Sequence, residues 1–252
     1  MKAIVLVENS ALPGLEGEHG LSVYIEHRGR RILLDAGRSG CFARNAQALG
    51  VALTAVDTAV LSHAHYDHAD GFDVFLDCNS HAPLYARPAV EQEEYHGERY
   101  IGVKKSLLEG YAHRFCLEDG PVNLGDGLWL VPDGVEHEQS LVVETGEGLV
   151  VFNSCSHWGA GHIAKDICAR FPGRKIAAYV GGFHLMGSGG PTTLGVAPGI
   201  VKNLAHWLLD ELEVGVVYTG HCTGAPAWEL LKAEGGDRVC PLDTGTVIEI
   251  GT

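Results

Sequence analysis

Short apolar runs rich in β-branched residues recur along the chain, separated by stretches with helical spacing. The runs are Val23–His27, Arg31–Leu34, Thr58–Leu61, Leu128–Val131, Leu141–Glu144, Leu149–Asn153, Lys175–Val180, Val214–Tyr218 and Thr246–Ile250. Their lengths and apolar character predict buried strands. The opening run, Met1 to Val7, is interrupted by Glu8-Asn9-Ser10. That is too short for the core of a signal peptide and reads as a first strand. Cys41–Leu49 predicts a helix stopped at Gly50, and Ala160–Arg170 one that ends before Phe171-Pro172. Val201, Leu204, Ala205, Leu208, Leu209 and Leu212 fall on one face of a third helix and are assigned to the core. Hairpin signals lie at Arg28-Gly29 and at Thr145-Gly146-Glu147-Gly148. Two sheets packed face to face with helices outside both is one layer solution to this order.

Nothing marks a domain boundary: the chain has no repeat, low-complexity tract or Pro/Ser-rich linker, and 252 residues suit one domain. The least regular stretch is 78–120, with Pro83, Pro88, the acidic run Glu91–Glu94 and the basic residues Arg87, Arg99, Lys104, Lys105 and Arg114. It reads as a variable insertion or lid bearing on the site. Composition narrows the class further. Hydrophobic residues make up 46% and charged residues 20%, a globular profile. No apolar run approaches the ~20 residues that span a bilayer, so a cytoplasmic protein without membrane partners is expected. Seven cysteines without C-x-x-C spacing suggest neither a disulfide framework nor a thiolate zinc knuckle. A net charge of −14 argues against nucleic acid as a partner. It leaves room for a small anionic substrate, because bound cations reverse the local field.

The chemistry concentrates in Ala59-Val60-Leu61-Ser62-His63-Ala64-His65-Tyr66-Asp67-His68-Ala69-Asp70-Gly71. A buried strand ends there, and three imidazoles and a carboxylate follow within six residues. His63 and His65 alternate at strand period, so both rings can point to one side. Asp67 and His68 follow as the backbone turns. Imidazole and carboxylate are the donors that catalytic zinc prefers. One histidine at a strand end is most often a hydrogen-bonded core residue, but a structural role for all four groups would bury them together without benefit.

His63-x-His65-x-Asp67-His68 resembles the signature of the metallo-β-lactamase superfamily. Cys155-Ser156-His157 is similar to the family's third ligand motif, and Thr219-Gly220-His221-Cys222-Thr223-Gly224 to its last histidine motif. Gly181-Gly182-Phe183-His184 stands where most members carry a metal-bridging aspartate. Val7-Glu8-Asn9-Ser10, Glu18-His19-Gly20-Leu21-Ser22 and Leu34-Asp35-Ala36-Gly37 resemble one subgroup of metal-dependent hydrolases. That subgroup includes archaeal dihydropterin-methyl-ribofuranosylaminobenzene-phosphate synthase-like proteins.

The resemblance implies a four-layer αββα sandwich of two mixed sheets with helices outside. It also implies one metal at His63, His65 and His157 and a second at Asp67, His68 and His221. A histidine cannot bridge two cations as a carboxylate does, since it offers one lone pair. His184 is therefore expected either to ligate one ion or to face the substrate. Asp67 is expected to serve as ligand and as acceptor for the nucleophile's proton, and Asp35 to support a ligand histidine or loop backbone. Zinc is the expected metal, one or two ions, with manganese and iron as alternatives. Such ions lower the pKa of bound water toward ~7 and supply hydroxide, implying hydrolysis of a small-molecule ester, phosphodiester or lactone. A pterin-type transferase and a non-catalytic metal or ligand sensor are the alternatives. His19, Phe183 and Lys104 are candidate substrate contacts, with Trp158 beside them in the transferase reading. Asp133 and Glu136-His137-Glu138 read as a solvated loop. Ligation by Cys155 or Cys222 is disfavoured, because adjacent strand residues point to opposite faces.

Overall fold

Alternation along the strands decides the layering. The structure, a computed structural model, describes residues 1–134 and 138–251. In chain order the strands are β1 (Lys2–Val7), β2 (Ser22–His27), β3 (Arg30–Leu34), β4 (Thr58–Val60), β5 (Leu84–Ala86), β6 (Tyr95–His96), β7 (Arg99–Tyr100) and β8 (Phe115–Leu117). Then come β9 (Val122–Gly125), β10 (Leu128–Pro132), β11 (Gln139–Glu144), β12 (Leu149–Phe152), β13 (Ile176–Val180), β14 (Val216–Thr219), β15 (Val239–Pro241) and β16 (Val247–Glu249). The helices are α1 (Cys41–Ala48), α2 (Tyr66–Ala69), α3 (Phe72–Cys78), α4 (Lys105–Gly110), α5 (Ala160–Arg170), α6 (Pro198–His206) and α7 (Ala225–Gly235).

One seven-stranded sheet runs β16-β1-β2-β3-β4-β5-β8 and the other β15-β14-β13-β12-β11-β10-β9. In β3, Ile32 and Leu34 face the opposite sheet, while Leu33 packs outward with Phe42, Phe72 and Phe75 of the helices. In β12, Val150 and Phe152 face inward, and Val151 packs outward with Ile163, Val201 and Leu231. Each sheet is thus buried on both faces, giving three apolar cores and the expected αββα sandwich.

Both sheets combine antiparallel hairpins with a parallel half. β3, β4 and β5 are parallel neighbours, as are β12, β13, β14 and β15. In open α/β sheets, ligands bind outside the carboxyl ends of parallel strands. Asp35 follows β3, the His63–His68 turn follows β4, Cys155–His157 follows β12, His184 follows β13 and His221 follows β14.

The predicted strands all form, with ends moved by at most two residues. The predicted apolar helix is interrupted: α6 passes into a π-helical turn at Trp207–Glu211. Segment 78–120, read as a variable insertion or lid, contains short strands and helices. Its β5 and β8 are integral to the first sheet, pairing Leu84 with Phe115. Only the β6–β7 hairpin stands apart, as a two-stranded sheet of its own. No helix among the described residues is long and apolar enough to cross a membrane.

Candidate metal centre

Where β4 ends, His63 and the short turn of α2 bring His63, Asp67 and His68 inward, all nearly fully buried, as is His221 from the exit of β14. Their hydrogen bonds fix which nitrogen carries a proton. The Asp35 carboxylate can only accept, so His68 donates from Nδ1 to Oδ2 at 2.8 Å. Ser62 Oγ also donates to Asp35 Oδ2, at 2.7 Å, which leaves it to accept from His63 Nδ1 at 2.8 Å. His221 Nδ1 meets the carbonyl oxygen of the Asn9 side chain at 3.2 Å. His65 donates from Nε2 to Glu94 at 3.0 Å. The remaining nitrogens therefore bear lone pairs, and they face one another. His63 Nε2 lies 3.0 Å from His65 Nδ1, and His68 Nε2 lies 3.2 Å from His221 Nε2. Each pair is repulsive unless a proton or a cation sits at it.

One donor cluster contains the first expected ligand set, and a second contains Asp67 and His221 of the other expected set with His19 in place of His68. His63, His65 and His157 bring their donor atoms within 4.8 Å of one another, as do Asp67, His221 and His19. His68 completes the second neighbourhood, its Nε2 3.7 Å from Asp67 Oδ2. Two further clusters, His63/His68/Cys155 and Cys155/His221/Cys222, join these. His184 belongs to none of these four. Its ring lies 4.4 Å from that of His157, and its backbone N–H donates to Cys222 Sγ at 3.3 Å.

The electrostatics favour a cation. Burial pushes Asp67 up, but His68, His221 and His19 outweigh it and hold its carboxyl at about 2. Burial pushes His68 down, yet Asp67 and Asp35 lift it to about 9, while burial takes His221 down to about 4. In the protein alone, a proton on His68 thus relieves the His68–His221 contact; a divalent ion would do so with more charge.

Three buried carboxylates hold the ligand segments, one each. Asp35 holds the His68 ring. Glu138 accepts from the backbone N–H groups of Cys155 at 2.7 Å, Ser156 at 3.2 Å and His157 at 2.8 Å. Glu8 accepts from the backbone N–H of His221 and, at 2.7 Å, from that of Ser10. Burial pushes Glu8 and Glu138 each up to about 7. Asp35, Ser156, His184 and His221 all have φ near +50°, a region costing non-glycine residues about 1 kcal/mol or more. These carboxylate bonds hold the turns at Ser156 and His221 in that shape. Gly20 is required for another reason: a Cβ there would lie 2.4 Å from the backbone oxygen of Asp67.

Several expectations are corrected. Glu138 is fully buried, not part of a solvated loop; Glu136 and His137 lie outside the described residues. Phe183 packs into the outer core against Tyr179, ring centroids 5.5 Å apart, because the left-handed turn at His184 separates the two side chains. Lys104 is held by Asp70 at 3.5 Å and Asp73 at 3.3 Å, away from the cavity. Trp158 stacks on His162. Cys155 does reach the site, its Sγ 3.3 Å from His68 Nε2. Strand alternation does not apply there, since both cysteines lie in turns beyond the strand ends. Sequence reasoning assigned no site role to Glu8 and Asn9, although both stand in a quoted motif, nor to Glu94, which lies in the acidic run 91–94.

A cavity of about 400 Å³ opens above the cluster, lined by His19, His65, Asp67, His157, His184 and His221, with Tyr66, Tyr95, His96 and Arg99 at its mouth. His19 lies 3.2 Å from Asp67, as its candidate role requires.

The metallo-beta-lactamase superfamily model matches residues 15–167, more than half of the chain. The protein belongs to this superfamily. A 7,8-dihydropterin-6-methyl-4-(beta-D-ribofuranosyl)-aminobenzene-5'-phosphate synthase from Methanocaldococcus jannaschii is 26% identical over 273 residues, 92% of this chain and 90% of that protein. A crystal structure of a metal-dependent hydrolase of the beta-lactamase superfamily aligns over 100% of both chains, with TM-score 0.83 and 29% identity. A diphosphatase from the PhnP family shares the fold at TM-score 0.61 and 16% identity, over 99% of this chain and 97% of that one.

Proposed function

We propose that the protein is a metal-dependent hydrolase of a small anionic ester, with one metal position at His63, His65 and His157 and another at Asp67, His68 and His221. The observation that carries this reading is the pair of facing imidazole contacts, His63–His65 and His68–His221, at 3.0 and 3.2 Å, each of which needs a proton or a cation between its nitrogens. Their far nitrogens are locked by Ser62, Glu94, Asp35 and Asn9, an arrangement that orients metal-ligating histidines. Divalent ions, zinc foremost, would supply a Lewis acid and an activated water. Asp67 Oδ2, facing both the ligand imidazoles and the cavity, is placed to accept the proton of that water. His19, stacked on His221 with centroids 5.2 Å apart, lines the substrate side.

Arg99, in place of Lys104, is the cationic side chain that lines the cavity. Its guanidinium lies 4.5 Å above the Tyr66 ring at the cavity mouth, where it would receive a phosphate or carboxylate. The cavity volume falls in the range of small-molecule sites. Hydrolysis of chromogenic phosphodiesters and lactones, followed before and after chelation and in His65→Ala, tests the reading. Turnover should vanish in both cases; turnover that survives both would overturn it.

A group-transfer reaction on a planar heterocycle is the second reading, favoured by the synthase relative and by the Tyr66 and Tyr95 rings at the mouth. It requires product formation from an acceptor other than water, which mass analysis of the products would decide.

A further inference from the structure

Among the described residues the exit of β13 offers His184 and no carboxylate, and an imidazole cannot be shared by two cations. We propose that Cys155 supplies the shared anion: its sulfur bridges the two metal positions as a thiolate, with Cys222 as a second thiol beside it. The proposal rests on the reading of the site as a two-position metal centre.

Cys155 Sγ groups with His63 and His68 within 4.8 Å, and separately with His221 and Cys222 within the same span. It therefore shares a cluster with a ligand of the first position, His63, and with two of the second, His68 and His221. His184, by contrast, is turned onto the His157 ring, and its main chain is occupied by Cys222. The anionic role has passed from the exit of β13 to the exit of β12. A thiolate suits that role where an imidazole does not: its sulfur carries several lone pairs, and a coordinating thiol is deprotonated outright. Each thiol that ligates releases one proton to solvent and leaves one negative charge to offset the cations.

The surroundings keep the sulfur in place and keep other reactions away. Cys155 and Cys222 are 3% and 6% exposed, and both are free thiols. The backbone N–H of Cys155 is held by Glu138 at 2.7 Å. Cys222 Sγ points to the Cys155 backbone oxygen at 3.5 Å. The chain stays bare at Gly182, where a Cβ would lie 2.5 Å from Cys222 Sγ. A sulfur donor among imidazoles also biases the site toward zinc, cobalt and iron over manganese and magnesium.

Cobalt(II) reports thiolate ligation by a sulfur-to-metal charge-transfer band in the near ultraviolet. The chelated wild type is expected to take up two equivalents of cobalt and to show the band. Cys155→Ser should lose most of the band and bind its second equivalent at least ~10-fold more weakly. Zinc-edge X-ray absorption on the loaded wild type needs no variant and should show sulfur at about 2.3 Å. Two-equivalent uptake without the band and without zinc-bound sulfur would overturn the bridge alone. So would a Cys155→Ser protein that folds, binds both equivalents as tightly as wild type and keeps the full band. Failure of the wild type to take up cobalt or zinc would instead overturn the metal centre, and the bridge with it.

Discussion

Asp35, on the floor of the cavity, accepts from Ser62 N at 2.7 Å, Ser62 Oγ at 2.7 Å, Ser154 Oγ at 2.6 Å and His68 Nδ1 at 2.8 Å. Arg99, at the mouth, is exposed and rests on the face of Tyr66. The floor is built from strand exits of two sheets, and four donors converge there on the one buried carboxylate of Asp35. The hairpin β6–β7 carries little apolar burial, with Tyr95 55% exposed. Rigid buried bonds suit ions that must be held in fixed geometry. A lightly packed hairpin suits the choice and admission of substrate, a task that draws on the least stable parts of a fold. Floor substitutions should therefore change stability and metal retention, and mouth substitutions should change substrate binding alone.

The largest effect is expected on the floor. Asp35→Ala leaves His68, Ser62 and Ser154 without their acceptor and should cost about 3–5 kcal/mol. Urea unfolding should show this as a lower midpoint with an unchanged slope. Glu94→Ala tests a side-chain bond that ties mouth to floor, since Glu94 fixes the proton on His65. Metal affinity, measured against a competing chelator, should fall ~10- to 100-fold with little change in unfolding midpoint. Arg99→Ala should raise KM for an anionic substrate by about tenfold, with metal content unchanged. A fall in metal content there would break the separation of floor from mouth. The smallest effect is expected from Lys104→Ala, which removes ion pairs to Asp70 and Asp73 from a lysine side chain 43% exposed. Exposed pairs contribute about 0–1 kcal/mol, so activity and melting temperature should barely move.

The same division explains what could be read from the chain. His63, His65, Asp67 and His68 lie within six residues, so strand period and the following turn bring them together without knowledge of the rest of the fold. Asp35, His157 and His221 are scattered along the chain; their motifs resembled the family's, and the parallel strands deliver them to one end of the sandwich. Glu8 and Glu138 went unread because a charged residue beside a strand ordinarily faces water, and nothing local signals that a distant backbone will bind it. Cys155 comes to lie beside His68 because strand alternation ends before it, in a turn where Ser156 adopts φ +55°. Phe183 was misjudged through its neighbour, since adjacency to His184 in the motif does not survive the turn between them. The strands β5, β8, β9 and β15 are three or four residues long, too short for period-two alternation to stand out. β5, β8 and β15 are strands because partners distant in sequence complete their hydrogen bonds, and β9 because the turn at Asp126-Gly127 folds it onto β10.

The central claim is that donors from both sheets converge on two cations. An anomalous-difference map from crystals of zinc-loaded protein, collected at the zinc edge, tests it directly. Two peaks are expected, one within bonding distance of His63, His65 and His157, the other within bonding distance of Asp67, His68 and His221. Zinc located elsewhere, or His157 and His221 turned away from any ion, would contradict it.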